Sequence, residues 1–472
     1  YQLLVKNAGE FTLKGGEIRQ AEYRIGNTYQ GNPETVFSNS KNMVMENGTI
    51  SGTLQNHNSI EGEPPVFTMK GGTLQSYNSD TFMNSGNAFI EGGNIYIHSV
   101  RTSYYSKPTL AARNIIYNDT STNAANLKVT GGNIAFKDGF DEIDDYSEGW
   151  PRGIYNSEGK VELSNITLSK LQYGLYDRGE SVLTNCTLAE NRIGILVSGN
   201  RSDTSNTVLS NGCTVEDNDT GLEVNLYSNV VIEEGVIIRR NKHYGVDLQD
   251  GIVTMNGGQI RNNNNGYSGR GGVRLRYGTP KFILNSGRIS GNHGQDGAAI
   301  YASVGTVELN GGQITKNYCD RYYWDKPMEA GLADKTVCMD GGELIIKDGV
   351  KATDIIFGNF YGYPKQAYIQ SAKNYLFMTP GQQDSLDAVL YGDDELSYRV
   401  KSGEDVVSVD ATGMVTAIKP GSATISIKCV DSGAELVTTV EVKDYFMEPA
   451  VLSLGRGQSQ KIVLMERKTV NN

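Results

Sequence analysis

Six asparagines, Asn191, Asn218, Asn241, Asn263, Asn292 and Asn317, recur at intervals of 27, 23, 22, 29 and 25 residues. Each stands three residues after an aliphatic residue: Leu188, Val215, Ile238, Ile260, Ile289 and Ile314. Around them one phrase returns with changed words: LTNCTLAENRIGILV, LSNGCTVEDNDTGLEV, IEEGVIIRRNKHYGVDL, MNGGQIRNN, LNSGRISGN and LNGGQITKN. Self-similarity at this period means a solenoid, because one such unit cannot bury its own apolar face and must stack on a copy of itself. The units are strands. Their apolar residues alternate or cluster over short runs and rarely recur at helical spacing, and Asn, Gly, Ser and Thr crowd the junctions, as tight turns require. In-register parallel stacking brings like residues to about 4.8 Å of each other. The asparagines are therefore expected to form a ladder of side-chain amides from coil to coil.

The same grammar, more decorated, runs through residues 1–160. KGGEI (14–18), ENGTI (46–50), KGGTL (70–74), EGGNI (91–95) and TGGNI (130–134) each lie between strand-like runs, and their glycines permit the positive φ of a sharp corner. Long loops interrupt this part at 21–37, 57–65, 98–111 and 137–153. Insertions in a solenoid project from one face, often the binding face. Residues 318–337 (YCDRYYWDKPMEAGLADKTV) interrupt the regular section, the motif returns as MDGGELIIKDGV (339–350), and IIFGNFYGYPKQAYI (355–369) reads as the last coil and its cap.

This GGxIxxN pattern with its following G-apolar strand resembles right-handed parallel β-helix proteins over residues 1–368, a group that includes pectate-lyase-like enzymes and adhesin-like bacterial surface proteins. The resemblance implies an all-β solenoid. It implies no single function, since the fold hosts lyases, hydrolases, phage spikes and adhesins. Residues 369–445 differ. VVSVDATGMVTAIKPGSATISI, with turns at Ala411-Thr412-Gly413 and Lys419-Pro420-Gly421, resembles the bacterial Ig-like domain of group 2, a small β-sandwich that acts as a spacer or adhesive unit in surface and secreted proteins. Residues 446–472, with AVLSLGRGQSQKIVLM, look like the start of a further such module or a tail, as though the chain were cut from a longer protein.

Reading columns across coils locates the chemistry. The strand after each Asn corner reads GLYD, GILV, GLEV, GVDL, GVRL and AIYA. Strand alternation turns the third residue of each outward, giving the column Tyr176, Leu196, Glu223, Asp247, Arg274 and Tyr301. Glu223 and Asp247 as neighbours, with Arg274 one rung on, are the candidate catalytic set. Paired carboxylates about 5 Å apart suit a retaining glycosidase, and a base beside a cation suits a lyase. The plainer reading is a charge ladder in which Arg274 relieves two stacked acids, and a third is glycan binding without turnover.

Tyr301, Trp150 and the insertion residues Tyr322, Tyr323 and Trp324 are candidate ligand contacts, because rigid amphipathic rings cover ligand area at low entropic cost. The acidic loop with Asp138, Asp141, Glu142, Asp144, Asp145 and Glu148 offers oxygen ligands for Ca²⁺, with Asp141, Asp144 and Asp145 the candidate set, but it lacks EF-hand spacing and reads equally as a solvated loop. No other cofactor is expected. Cys186 and Cys213 occupy equivalent positions and are expected to stack in the core, whereas Cys319 and Cys338 bracket the insertion and are a candidate staple.

A net charge of −11 argues against a nucleic-acid partner, and no apolar run is long enough to span a bilayer as a helix. The expectation is an extracellular or bacterial cell-surface protein of adhesin type that binds glycans or host surface proteins. The alternative is a secreted polysaccharide lyase or glycoside hydrolase with an Ig-like spacer, and a phage tail spike shares the same fold.

Overall fold

The computed structural model describes residues 3–19, 24–25, 28–29, 35–57, 63–77, 79–98, 113–120, 125–137, 151–201, 204–264, 271–294, 297–319, 322–323, 326–327, 337–346, 351–352, 355–357, 368–391, 395–430, 435–448, 459 and 463–466. The chain divides into two units, Tyr1–Val337 with Gly341–Thr353, and Cys338–Asp340 with Asp354–Asn472.

The first unit is a right-handed parallel β-helix. Each coil contributes one short strand to each of three parallel sheets. Within this unit sheet A includes Val5–Asn7, Tyr173–Asp177, Tyr244–Leu248 and Ile300–Ala302. Sheet B runs from Glu10–Leu13 to Glu343–Ile346, and sheet C from Glu17–Arg19 to Lys351–Ala352. The inward residues stack as in-register columns: Leu175, Ile195, Leu222, Val246, Val273 and Ile300 in sheet A, and Leu188, Val215, Ile238, Ile260, Ile289 and Ile314 in sheet C. All of these are buried. Each such side chain contributes roughly 1.5–3 kcal/mol on leaving water, so the stack is held by an apolar tube that no single coil could close. Cys186 and Cys213 sit in that core, as expected. Cys338 is buried too, while the side chain of Cys319 lies outside the described residues.

The three corners differ. The corner from sheet B to sheet C is short in every coil. The corner from sheet C to sheet A carries most of the long insertions, including 99–112, 138–150, 265–270 and 320–336, of which only 322–323 and 326–327 are among the described residues. In the regular section that corner is a single left-handed residue: Glu190, Asp217, Arg240, Asn262 and Lys316 have φ of 56°, 57°, 55°, 54° and 54°. The left-handed conformation costs each of these residues about 1–2 kcal/mol, and the next residue offsets that cost. It is the ladder asparagine. Asn241 Oδ1 accepts from the backbone N–H of Asn218 (3.1 Å) and from its Nδ2 (3.0 Å), and Asn241 Nδ2 donates to Val215 O (3.2 Å) and Asn263 Oδ1 (2.9 Å). The same pattern continues through Asn263, Asn292 and Asn317. The glycine that opens the following strand has a packing reason: a Cβ on Gly221 would lie 2.6 Å from Gly245 O and 2.8 Å from Asn241 Nδ2.

A second asparagine ladder, at the corner from sheet A to sheet B, was not read from the sequence. Asn7 donates to Asn39, Asn39 to Asn56, Asn56 to Asn84, Asn84 to Asn118, Asn118 to Asn156 and Asn156 to Asp177, each Nδ2 to Oδ1 at 2.7–2.8 Å. It ends where the other begins. Asp177 has no amide to pass on, and the next residues in its column, Val197, Val224 and Leu248, are apolar. Its second oxygen accepts from Thr207 Oγ1 at 2.6 Å. Burial pushes the Asp177 carboxyl above its ordinary value, against the hydrogen bonds from Thr207, Asn156 and the Gly179 N–H.

The second unit holds a four-stranded sheet, with Tyr375–Met378, Glu435–Val442, Gly421–Cys429 and Leu396–Ser402 in spatial order, and a three-stranded sheet of Gln383–Ser385, Met414–Ala417 and Val407–Val409. Both contribute alternate buried residues, among them Leu376, Ile425, Ile427, Val440, Val407 and Val415. Strands flank the Ala411-Thr412-Gly413 turn as the sequence suggested. Asp410 Oδ1 closes that turn by accepting from the N–H groups of Thr412 (2.8 Å) and Met414 (3.0 Å), and Gly413 supplies φ 83°. Cys429 ends a strand, buried. Beyond this, Tyr445–Glu448 pairs antiparallel with Val463–Glu466.

Candidate functional site

Sheet A aligns Tyr176 with Leu196, Leu196 with Glu223, Glu223 with Asp247, Asp247 with Arg274 and Arg274 with Tyr301, so the column read from the sequence exists residue by residue. Its exposure differs from expectation. Asp247 is 2% exposed, Tyr301 3% and Leu196 7%, and Asp247 is covered by the side chains of Arg274 and Arg276.

Asp247 is the hub. Arg274 grips it with a fork, Nε to Oδ1 at 2.8 Å and Nη2 to Oδ2 at 2.7 Å. Arg276, two residues further along the same segment, donates Nη2 to Oδ2 at 2.8 Å. The Arg274 guanidinium also lies over the Tyr244 ring, 3.7 Å from its centroid, and donates to the Tyr244 hydroxyl. Glu223 is held separately, by Asn225 Nδ2 at 3.5 Å. Burial, with the Asp247 charge on the next rung, pushes the Glu223 carboxyl above its ordinary value, while Asn225, Arg276 and Arg274 oppose that rise. Arg274 therefore relieves Asp247 and not both acids equally. Asp247 holds two guanidinium groups in place, whereas Glu223 is bound by no guanidinium among the described residues and its carboxyl is raised by burial.

Further toward the N-terminus the same column becomes aromatic. Tyr117, Tyr155 and Tyr176 align in register. Their rings stack with centroids 5.2 Å and 4.7 Å apart and interplanar angles of 17° and 20°. The Arg152 guanidinium lies 5.4–5.9 Å from the rings of Tyr155, Tyr173 and Tyr176. Beside it, Asp80 accepts from the Asn114 N–H at 2.7 Å. Burial pushes the Asp80 carboxyl up, against the Asn114 hydrogen bonds and the charges of Arg113 and Arg152. Sequence reading missed this cluster. The signal was present: NIIYN, GIYNS and GLYD put Tyr117, Tyr155 and Tyr176 at one strand position, so running the column two coils further back would have found the tyrosines. Asp80, Tyr244 and Arg276 reach the face from outside the column and carry no periodic signal.

The structure describes no side chain of the remaining candidates. Trp150, Asp141, Asp144, Asp145 and Trp324 lie outside the described residues. Tyr322–Tyr323 pairs antiparallel with Lys326–Pro327, with side chains outside the description. Among the described residues no group of three or more His, Cys, Asp or Glu could hold a metal ion, and no helix is long and apolar enough to cross a membrane.

The chain is similar, over residues 152–318, to the family described as right handed beta helix region. No curated protein matches it. Nor does any solved structure. The matched segment covers the regular coils, the Asn191–Asn317 ladder and the Glu223–Asp247–Arg274 rungs, so the likeness concerns the scaffold on which these side chains are mounted.

Proposed function

We propose that this chain is a glycan-binding β-helix protein of adhesin type, acting at a bacterial cell surface or as a secreted protein, with the outer face of sheet A as its ligand surface and a group 2 Ig-like unit as spacer. One observation carries the reading. The only carboxylate beside Glu223 in the column is already committed to Arg274 and Arg276, which disfavours a two-carboxylate reaction. A row of rings, guanidinium groups and acids along one sheet suits instead a polymer lying across the rungs, with aromatic faces and charged hydrogen-bond donors meeting sugar rings and hydroxyls. The long insertions fall in sequence between strands of sheet C and strands of sheet A, and insertions in solenoids commonly shape a binding site. Two-sheet packing in residues 375–442 agrees with the Ig-like resemblance.

The second reading, a polysaccharide lyase or glycoside hydrolase, is favoured by one feature, the raised carboxyl of Glu223. A glycan array probed with the wild type and Tyr176→Ala tests the first. The expected result is saturable binding to one glycan class that Tyr176→Ala weakens about tenfold, the loss of roughly 1–1.5 kcal/mol of ring contact. Binding unchanged in Tyr176→Ala and in Arg274→Ala would remove the ligand from this face.

A further inference from the structure

We infer that the outer face of sheet C carries an anion-binding site centred on Arg261, which takes a sulfate ester or carboxylate of an acidic polysaccharide.

The site follows from a broken pattern. Several cations of the solenoid are neutralised by an acid one rung away: Lys128 by Glu162, Lys160 by Glu180, Lys242 by Asp219 and Lys281 by Glu308. On sheet C the register column is Glu216, Arg239, Arg261, Ser290 and Thr315. Glu216 accepts from Arg239 Nε and from Arg240 Nη2, both at 2.7 Å. Asp217 accepts from Arg240 Nε at 2.9 Å and Nη2 at 2.6 Å. The two carboxylates are thus consumed by two guanidinium groups. Arg261 comes next and pairs with no acid among the described residues. Its Nε is buried with no acceptor among the described residues. In a chain with 54 acidic residues against 43 basic ones, an arginine left unpaired beside two other arginines is a costly arrangement.

The far side of Arg261 is shaped to receive something. The next two rungs carry small hydroxyl side chains, Ser290 and Thr315, and Arg288 reaches over to donate to Thr315 Oγ1 at 3.2 Å. An anion beside Arg261 therefore meets its guanidinium, with Arg288 on the next rung and hydroxyl donors at the rung spacing of about 4.8 Å. Burial and the positive charges of Arg239 and Arg240 already push the Arg261 pKa down, which an incoming anion reverses. An extended polymer fits better than a free ion, because the hydroxyl rungs continue the column in one direction. The identity of the polymer rests on the glycan-binding reading above. The anion site does not, since it lies on a different sheet.

Affinity electrophoresis through gels containing a sulfated galactan, a polyuronate or a neutral glucan tests it, using the wild type, Arg261→Gln, Tyr176→Ala and the charge-matched control Lys160→Gln. The expected result is retardation by the sulfated polymer, the polyuronate or both, at least about tenfold weaker in Arg261→Gln, equal to wild type in Lys160→Gln, and falling with salt. The two acidic gels distinguish sulfate from carboxylate. No acidic polymer retarding the wild type more than the glucan does would overturn the inference, as would equal retardation of Arg261→Gln and Lys160→Gln. Loss in Tyr176→Ala with Arg261→Gln unaffected would overturn the anion site alone and leave the sheet A reading standing.

Discussion

Replacing Asn241 with Ala removes one rung of the ladder that holds the coils in register. Four hydrogen bonds go: those that Asn241 Oδ1 accepts from the Asn218 N–H and Nδ2, and those that Asn241 Nδ2 donates to Val215 O and Asn263 Oδ1. The survivors differ in what they keep. Asn218 Nδ2 retains Leu188 O at 3.0 Å, and Asn263 Oδ1 retains the Asn241 N–H at 3.1 Å. The Asn218 backbone N–H keeps nothing, and Asn218 is fully buried. One orphaned buried donor costs about 1–3 kcal/mol, and each weakened shared bond up to about 1 kcal/mol, so the expected loss is about 3 kcal/mol. The natural comparison is Asn285→Ala. Asn285 belongs to an exposed amide row, donating to Asn256 at 2.9 Å and accepting from Asn310 at 2.7 Å, where water replaces either partner. That variant should cost no more than about 0.5 kcal/mol. Because solenoids need not unfold in one step, the local reading is hydrogen exchange at the Asn218 amide, which should accelerate by two orders of magnitude in Asn241→Ala and not in Asn285→Ala. Equal effects from the two variants would refute the claim that buried amides, and not amides as such, fix the register.

Other expectations follow from the same geometry. Asp177→Asn should abolish a pH dependence: the folded carboxyl is raised, so its contribution is fullest below the ordinary carboxylate value and is lost as pH climbs through the raised value, giving a wild type that gains stability on mild acidification and a variant that does not, by thermal melting across pH. Gly221→Ala forces a methyl to 2.6 Å from Gly245 O and should melt well below the wild type. Arg274→Ala leaves the buried Asp247 with Arg276 as its remaining cation among the described residues and should cost about 3 kcal/mol in denaturant titrations, more than the about 1 kcal/mol expected of Lys128→Ala at an exposed pair.

Much of this was legible in the sequence, for a physical reason. A coil cannot choose its face independently of its neighbours, so the Asn218, Asn241 and Asn263 column and the Glu223, Asp247 and Arg274 column had to appear at fixed phase in the repeats. What escaped was whatever the phase does not govern. The ladder from Asn7 to Asn156 runs through coils with loops of unequal length, so its period is hidden. The burial of Asp247 depends on Arg276 and Tyr244 leaning in from neighbouring strand positions, which alternation alone cannot foretell. Strand alternation correctly turned Asp247 away from the apolar core, but an outward-facing position is not the same as an exposed one.

That the sheet A face binds its ligand without turning it over is tested most directly by product formation. Incubating the wild type with each polysaccharide it binds, and measuring reducing ends and unsaturated products, should give no more than the blank, with Glu223→Gln indistinguishable from the wild type. Product release that both Glu223→Gln and Asp247→Asn abolish would contradict it and make the protein an enzyme.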